Sequence, residues 1–486
     1  MMRDWLAAGA NEHQERLALI PLAGLQHSWG ELARDASALS GQLSAAGLGP
    51  GGRAIWLGAS GAQGARLLFA LARLDAVFVP LNTRLTADEL RAQARIAAGT
   101  LILCDETCAA QAEALGDEWP VFRLDNLPAT PPRDLPAVRR VNPAAVQSIV
   151  FTSGTTGTPK GAQITWFNQF ASAQASAQRL GASEDDRWLL TLPLYHIGGM
   201  AIPFRAALSG AAVVEFDLSK GFDAARLMVA LTEHAITHVS LVPTMLHRLL
   251  EAGLTGTPHL RCILLGGAAA SPELLARTFA AGLPVAPTYG LTEACSQVAT
   301  LPPGAAPRKP GSVGRPLPGL TVTIVRDDRV SAAPGEIGEI IVRGPTVFAG
   351  YLNAPDDRTL QNGALHTGDL GYLDAEGNLF VVQRRTDLIV TGGENVYPAE
   401  VEAVLRQHPA VAEACVVGLP DAEWGQRVAA AVVPRAETDV AALETWCRAR
   451  LAGYKCPRQI RIVNNLPLTA SGKVIRRAVA EMLVAT

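Results

Sequence analysis

The sequence carries little charge of either sign. Only 18% of its 486 residues are Asp, Glu, Lys or Arg, and the formal net charge is −3. Nucleic acid and anionic membrane surfaces call for a basic footprint, so neither is an expected partner. Paired cysteines are missing too. The seven (Cys104, Cys108, Cys262, Cys295, Cys415, Cys447 and Cys456) are scattered, odd in number, and form no two facing pairs. That argues against a disulfide framework and a structural zinc site, and for a reducing cytoplasm. Long apolar runs are also absent. Residues 65–81 are interrupted by Arg66, Arg73 and Asp75, and read as a buried helix followed by a strand rather than a membrane span. Met1–Trp5 shows no apolar core of a signal peptide. No internal repeat or low-complexity tract stands out. What is plentiful is apolar content, 49%, which suits a well-buried enzyme of two or more domains.

Against that background one segment is distinctive. Residues 151–161 read Phe-Thr-Ser-Gly-Thr-Thr-Gly-Thr-Pro-Lys-Gly and follow the apolar run Ser148-Ile149-Val150. Glycines let backbone N–H groups turn toward an anion, hydroxyls add donors, and Lys160 adds a positive charge. The composition fits a phosphate cradle. It is not a Walker A loop, because Pro159 stands where the second glycine belongs and Gly161 where Ser or Thr would bind magnesium.

The first third alternates helix and strand. Ser28 and Glu31 form a capping box, with a helix running toward Gly47-Leu48-Gly49-Pro50. Strands are expected at 53–57, 76–79 and 101–104, with helices at 64–74 and 86–98. This rhythm predicts a parallel, helix-covered sheet. A proline-rich connection at 126–143 leads into the Gly-rich loop, and the alternation resumes over 188–285. From 311 the texture shifts to short strands, at 321–325, 339–342 and 379–382. The last stretch reads as a compact α+β unit, with helices at 398–407 and 440–451 and strands at 412–417 and 428–433. The expected class is α/β: a large N-terminal domain, 1–385, of helix-covered sheets with a small β-rich subdomain over about 311–385, and a mobile C-terminal α+β domain, 386–486.

Further motifs are ambiguous singly. Tyr289-Gly290-Leu291-Thr292-Glu293 follows an expected strand at 284–287; its tyrosine can stack on a purine and Glu293 can hold magnesium, yet it reads equally as an ordinary turn. Thr367-Gly368-Asp369 offers a carboxylate suited to a ribose, or a simple turn. Arg384 and Asp387 make an ion pair or a site.

Taken in order, the Gly-rich loop, Tyr289–Glu293, Thr367–Asp369, Arg384…Asp387 and Ser471-Gly472-Lys473 resemble the acyl-adenylate-forming superfamily. That superfamily includes the acyl-CoA synthetases, firefly luciferase and peptide-synthetase adenylation domains. The resemblance runs from about residue 10 to the end. It implies ATP, Mg2+ and CoA as ligands. A carboxylate attacks the α-phosphate of ATP to give acyl-AMP and pyrophosphate, and a thiol then takes the acyl group. By resemblance, Thr152, Ser153, Gly154, Thr155, Thr156, Gly157 and Lys160 cradle the β- and γ-phosphates. Gly266, Gly267, Ala268, Thr288, Tyr289 and Gly290 form the adenine site. Thr292 donates to the α-phosphate, Glu293 binds magnesium, and Asp369 and Arg384 fix the ribose. Lys473 bridges the carboxylate and α-phosphate during adenylation. The same resemblance implies a C-terminal domain that rotates between the two half-reactions about a hinge at Thr386, with Gly392, Gly393, Glu394 and Asn395 lining the CoA tunnel. Two positions depart from the family pattern: Gln383, where glycine usually precedes the arginine, and Asp75, where glycine is common before the strand.

The acid is less sharply marked. By the same resemblance, Leu192–Gly199 falls where family members place the acyl-pocket wall, which implies a catalytic or pocket role for His196 and room for a ring at Gly198 and Gly199. Residues 261–267, 292–297, 367–374 and 392–402 resemble the o-succinylbenzoate–CoA ligases of menaquinone biosynthesis. Arg205, on the helix after His196, is the cationic candidate for that acid's second carboxylate. Other acyl- or aryl-CoA synthetases, a carrier-dependent adenylation enzyme and a non-catalytic adenylate-binding protein remain the competing readings. The expected partners are a small carboxylic acid, ATP and CoA, with no nucleic acid and no membrane insertion. Homo-oligomerisation is left open.

Overall fold

The Ser28–Glu31 capping box forms as the sequence predicts: Glu31 N donates to Ser28 Oγ, and Ser28 N to the Glu31 carboxylate. It starts the helix Trp29–Ala45, whose buried face carries Trp29, Leu32, Ala36, Leu39 and Leu43 at the apolar spacing of one helical stripe. This computed structural model describes every residue except 1, 23, 60, 86, 128–139, 153–158, 220, 269, 306–308, 327–329, 355–357, 385–388, 392–393, 397, 422–424, 452, 470–472 and 486. The expected hinge, Thr386, is therefore outside the described residues.

Two compact units emerge. The first comprises Met1–Thr323, Ile341–His366 and Ala375–Leu379; the second comprises Ile324–Ile340, Thr367–Asp374 and Phe380–Thr486. The first unit is built on two sheets of one design. In one, the strands run Lys160–Thr165, Val146–Thr152, Val77–Pro80, Arg53–Leu57, Leu101–Cys104 and Val121–Arg123 across the sheet. In the other the order is Ser296–Thr300, Val285–Leu291, Cys262–Leu265, His238–Leu241, Arg187–Leu190, Ala212–Glu215, Leu17–Ile20 and His27–Ser28. The interior strands pair in parallel, and Lys160–Thr165, Ser296–Thr300 and His27–Ser28 are antiparallel edges. Parallel strands covered by helices on both faces read as short unbroken apolar runs, as in Arg53-Ala-Ile-Trp-Leu57 and Leu101-Ile-Leu-Cys104.

Asp75, one of the two departures from the family pattern, has a structural explanation. It follows the helix Gly61–Leu74 with φ 54°, and Ala76 N reaches back to Leu71 O at 3.1 Å. A helix that closes this way requires a left-handed residue, which is why glycine suits the position and a short polar side chain tolerates it.

Residues 321–384 supply a five-stranded sheet of Thr321–Val325, Gly338–Arg343, Ala364–Leu373, Leu360–Gln361 and Leu379–Arg384. In the second unit, the long antiparallel pair Val411–Asp421 and Gly425–Pro434 forms the centre of another sheet. Period-two alternation sends Val416, Val428, Ala430 and Val432 toward the helices Pro398–Arg406 and Val440–Arg448. It sends Val417, Leu419, Ala429 and Ala431 toward Val479 and Leu483 of the helix Arg476–Val484.

Candidate active site

The two flanks of the Gly-rich segment are paired strands at a sheet edge. Thr152 ends one strand, Lys160 begins the next, and the two lie opposite each other in antiparallel register. Ser153, Gly154, Thr155, Thr156 and Gly157 fall outside the described residues. The stems are fixed by the core beneath them, with Ile149 and Ala162 fully buried.

A second edge hairpin carries the next motif. The strand Val285–Leu291 continues past residue 287, so Tyr289, Gly290 and Leu291 lie within the strand rather than after it. Pairing with Ser296–Thr300 extends the strand: Thr288 faces Thr300, and Leu291 faces Ser296. Thr288 Oγ1 lies 2.7 Å from Thr300 Oγ1 and donates to Ala299 O at 2.9 Å, which locks the stem. Gly290 admits no side chain, since a Cβ there would stand 1.9 Å from Ser296 O. Thr292, Glu293 and Ala294 form a single 3-10 turn at the tip. The return is strained. Cys295 (φ 52°) and Ser296 (φ 94°) are successive left-handed non-glycine residues, each costing about 1–3 kcal/mol. The helix Trp166–Leu180 sustains that conformation, because Ser172 Oγ donates to Cys295 O at 2.5 Å and Cys295 Sγ meets Gln169 Oε1 at 3.4 Å.

One segment stitches the two hairpins together. Leu352 N donates to Gly161 O, Gln163 N to Gly350 O, and Phe348 N to Glu293 O. Within it, the Tyr351 hydroxyl donates to the Glu293 carboxylate, and the Lys160 ammonium sits 5.1 Å from the centre of the Tyr351 ring. Tyr351 thus joins Lys160, the candidate phosphate-loop lysine, to the candidate metal ligand Glu293. Sequence reasoning did not select it. A lone tyrosine after a short strand has no compositional signal, and its place depends on pairing nearly 190 residues away.

The remaining nucleotide-side residues lie at strand ends. Gly266 follows Cys262–Leu265, and a Cβ there would come 2.7 Å from Thr288 Cγ2. Gly267 is left-handed, at φ 80°, and it and Ala268 are exposed. On the acid side, His196 is the N-cap of the helix Ile197–Ser209 and is exposed, with its ring edge against Tyr195. Gly199 serves packing instead of leaving space: its Cβ position is filled by the carbonyl oxygens of Leu192 and Pro193, both 2.3 Å away. Gly198 is less confined, with Leu192 Cδ1 at 3.2 Å.

Arg205 lies on the same helix and is only 4% exposed. Its Nη2 donates to Ser296 Oγ at 3.1 Å, and its guanidinium carbon lies 5.4 Å from the Trp188 ring centre. Nε and Nη1 have no hydrogen-bond partner among the described residues, and none of these residues' carboxylates pairs with it. Burial pulls its pKa down to about 10, which still leaves it charged at neutral pH. A buried cation with two idle donors is an energetic debit unless an anion arrives.

In the second unit, Asp369 is buried within the strand Ala364–Leu373, and its N–H donates to Thr367 Oγ1 at 3.1 Å. Gly368 is left-handed at φ 68°, so the expected turn is a kink inside a strand. Arg384 ends the strand Leu379–Arg384, and only its backbone is described. Lys473 is exposed at the exit of a tight turn, where Lys473 N donates to Thr469 Oγ1 and Thr469 N to Lys473 O. Arg476 anchors the helix that follows, reaching buried Glu402 at 2.5 Å and Val416 O at 2.6 Å. Glu394 and Asn395 lie in the strand Glu394–Val396 with only their backbones described; Gly392 and Gly393 fall outside the described residues.

Comparison with known proteins matches residues 6–352 to the AMP-binding enzyme family and residues 400–473 to the AMP-binding enzyme C-terminal domain. The chain belongs to the AMP-binding enzyme family. Within it, the chain is 38% identical over 475 residues to a 2-succinylbenzoate–CoA ligase of Bacillus subtilis, covering 97% of this chain and 96% of the relative. A 2-succinylbenzoate–CoA ligase of Bacillus velezensis is 39% identical, with 99% and 98% covered. The solved structure of the B. subtilis o-succinylbenzoate CoA synthetase with its acyl-adenylate intermediate superposes at a TM-score of 0.91, with 38% identity and 98% of each chain covered. ATP-bound MatB from Rhodopseudomonas palustris also superposes at 0.91, with 28% identity and 99% of each chain covered. Equal structural similarity at unequal identity means that the AMP-binding fold alone does not choose the acid.

Proposed function

We propose that this chain is an ATP-dependent acid–CoA ligase that converts 2-succinylbenzoate to its CoA thioester through an acyl-adenylate, a step of menaquinone biosynthesis. The observation that carries the choice of acid is Arg205. An acid with two carboxylates leaves one free when the other is activated, and Arg205 is a buried cation with donors to spare. The near full-length identity to 2-succinylbenzoate–CoA ligases supports the same acid.

In the first half-reaction, a carboxylate oxygen bonds to the α-phosphorus while the bond to the bridging oxygen of pyrophosphate breaks. Charge grows on the phosphate oxygens, so donors and cations fixed in advance contribute most. Thr152, Lys160 and the intervening loop grip the leaving pyrophosphate. Thr292 donates to the α-phosphate, and Lys473 neutralises charge at the reacting centre. Asp369 and Arg384 hold the ribose. In the second half-reaction, the CoA thiolate attacks the acyl carbon and AMP departs, with residues 392–395 guiding the pantetheine and Thr386 acting as the hinge.

A magnesium ion would be held by Glu293 together with phosphate oxygens and water. The donor set fits: Glu293 offers one part-exposed carboxylate on a turn, and magnesium is commonly held by one or two carboxylates plus substrate phosphates. When bound, the ion supplies charge neutralisation on the phosphates. No helix of the described residues is long and apolar enough to cross a membrane. None of the seven cysteines is in a disulfide, which suits a reducing cytoplasm.

The test is pyrophosphate release with ATP and a panel of carboxylic acids, followed by addition of CoA. Release with 2-succinylbenzoate and thioester formation with CoA are expected. Release without thioester would indicate a carrier protein as acceptor, and no release with any acid would overturn the enzymatic reading.

A further inference from the structure

Arg205 stands over one lateral row of the parallel sheet. In-register pairing sets Trp188 beside His238 and His238 beside Cys262, and all three are buried. The His238 ring stacks on the Trp188 ring with centroids 4.6 Å apart and planes inclined by 28°. His238 is itself anchored: its Nδ1 lies 2.8 Å from Thr237 Oγ1 and 3.5 Å from Asp186 Oδ1. Asp186, also buried, is fixed by Ser183 N at 2.7 Å and Arg261 Nη1 at 2.6 Å. Burial drives the His238 pKa down to about 4, so the imidazole brings no second positive charge near Arg205 at neutral pH.

Proteins ordinarily hold a buried arginine with a carboxylate. Here such a residue would occupy the donors that a substrate carboxylate must use. An aromatic face attracts the guanidinium without consuming an N–H. We propose that Trp188, braced by His238, is a positioning residue for acid selection: it holds the Arg205 guanidinium in place while leaving Nε and Nη1 open to the second carboxylate of a dicarboxylic acid. The inference rests on the reading of Arg205 given above.

The experiment compares kcat/KM for pyrophosphate release with 2-succinylbenzoate and with 4-oxo-4-phenylbutanoate, the same acid without its ring carboxylate. The ratio of the two values isolates recognition of the second carboxylate. Arg205→Met is the control for the underlying reading and is expected to collapse the ratio. Trp188→Leu is expected to lower the ratio about tenfold, and Trp188→Phe, which keeps a weaker ring, by less. If Arg205→Met collapses the ratio but Trp188→Leu lowers both acids equally, the positioning role is overturned while the reading of Arg205 stands. If Arg205→Met leaves the ratio intact, both fall. Should Trp188→Leu fail to fold, Trp188→Phe decides, because an unchanged ratio in that folded variant is incompatible with the proposal.

Discussion

The first unit treats its two candidate substrates differently. At the candidate nucleotide side, the charged and hydroxyl side chains lie on hairpins at two sheet edges. Lys160 opens a strand and Thr292 and Glu293 lie on a turn, all three part-exposed, and backbone pairing carries the geometry. At the candidate acid side stands one buried side chain, Arg205, on a helix, with two donors unpartnered among the described residues. Edge hairpins gather many donors that water can also reach, so they hold any triphosphate without a large desolvation penalty. A buried cation is costly when empty, and only the matching anion repays it. On the reading proposed above, chemistry lies with the turns and selectivity with the core.

The largest expected effect tests the indifference of the chemistry to the acid. Lys473→Ala should reduce adenylation by about a thousandfold, the upper range for losing one donor at a developing charge, and equally for every acid accepted. Thioester formation from preformed acyl-AMP should survive. Loss of both half-reactions to the same extent, measured by pyrophosphate release and by thioester yield, would remove Lys473 from its assigned step.

Arg205→Met is the next largest. Truncating one side of a buried charged hydrogen bond costs about 3 kcal/mol, roughly a hundredfold in kcat/KM for the dicarboxylate. KM for ATP should not move. Stability should not fall either, because replacing an uncompensated buried charge by an apolar side chain of similar length is neutral or stabilising. A thermal melt that drops sharply, with ATP and acid affected together, would make Arg205 a structural residue and erase the distinction between the two sides.

This contrast also explains what the sequence made legible. Local signals were readable: the Ser28–Glu31 box and the strands at 53–57 and 101–104 all depend on neighbours within a few residues. Non-local features were less so. The strand holding Tyr289 was expected to stop at 287, because nothing before Ser296 announces the partner that extends it. Gly199 suggested an open pocket, yet its neighbours Leu192 and Pro193 fill the space. Arg205 was visible as a cation on the helix after His196, but its lack of a counter-charge among the described residues is a property of packing. The ring of Trp188 beneath it depends on strand register, which no run of residues near position 188 encodes.

Tyr351 offers the smallest and most delicate test of the nucleotide side. Its hydroxyl donates to Glu293, and its ring lies beneath Lys160, so it couples the tips of the two hairpins. Tyr351→Phe keeps the ring near Lys160 and removes only the hydrogen bond to the carboxylate. A part-exposed hydrogen bond to a charged group is worth about 1 kcal/mol, or roughly a fivefold effect. Two directions are open, and they distinguish two roles. If the hydroxyl aims the carboxylate at the metal, Mn2+ affinity measured by electron paramagnetic resonance with ATP present should weaken, and adenylation should fall alike for both acids. If it only occupies the carboxylate until ATP arrives, Mn2+ should bind more tightly in the variant. The stitched geometry, with Phe348 N fixing the Glu293 carbonyl and Leu352 N fixing Gly161, favours the first, because the turn is already held without the phenol and only the carboxylate's direction depends on it.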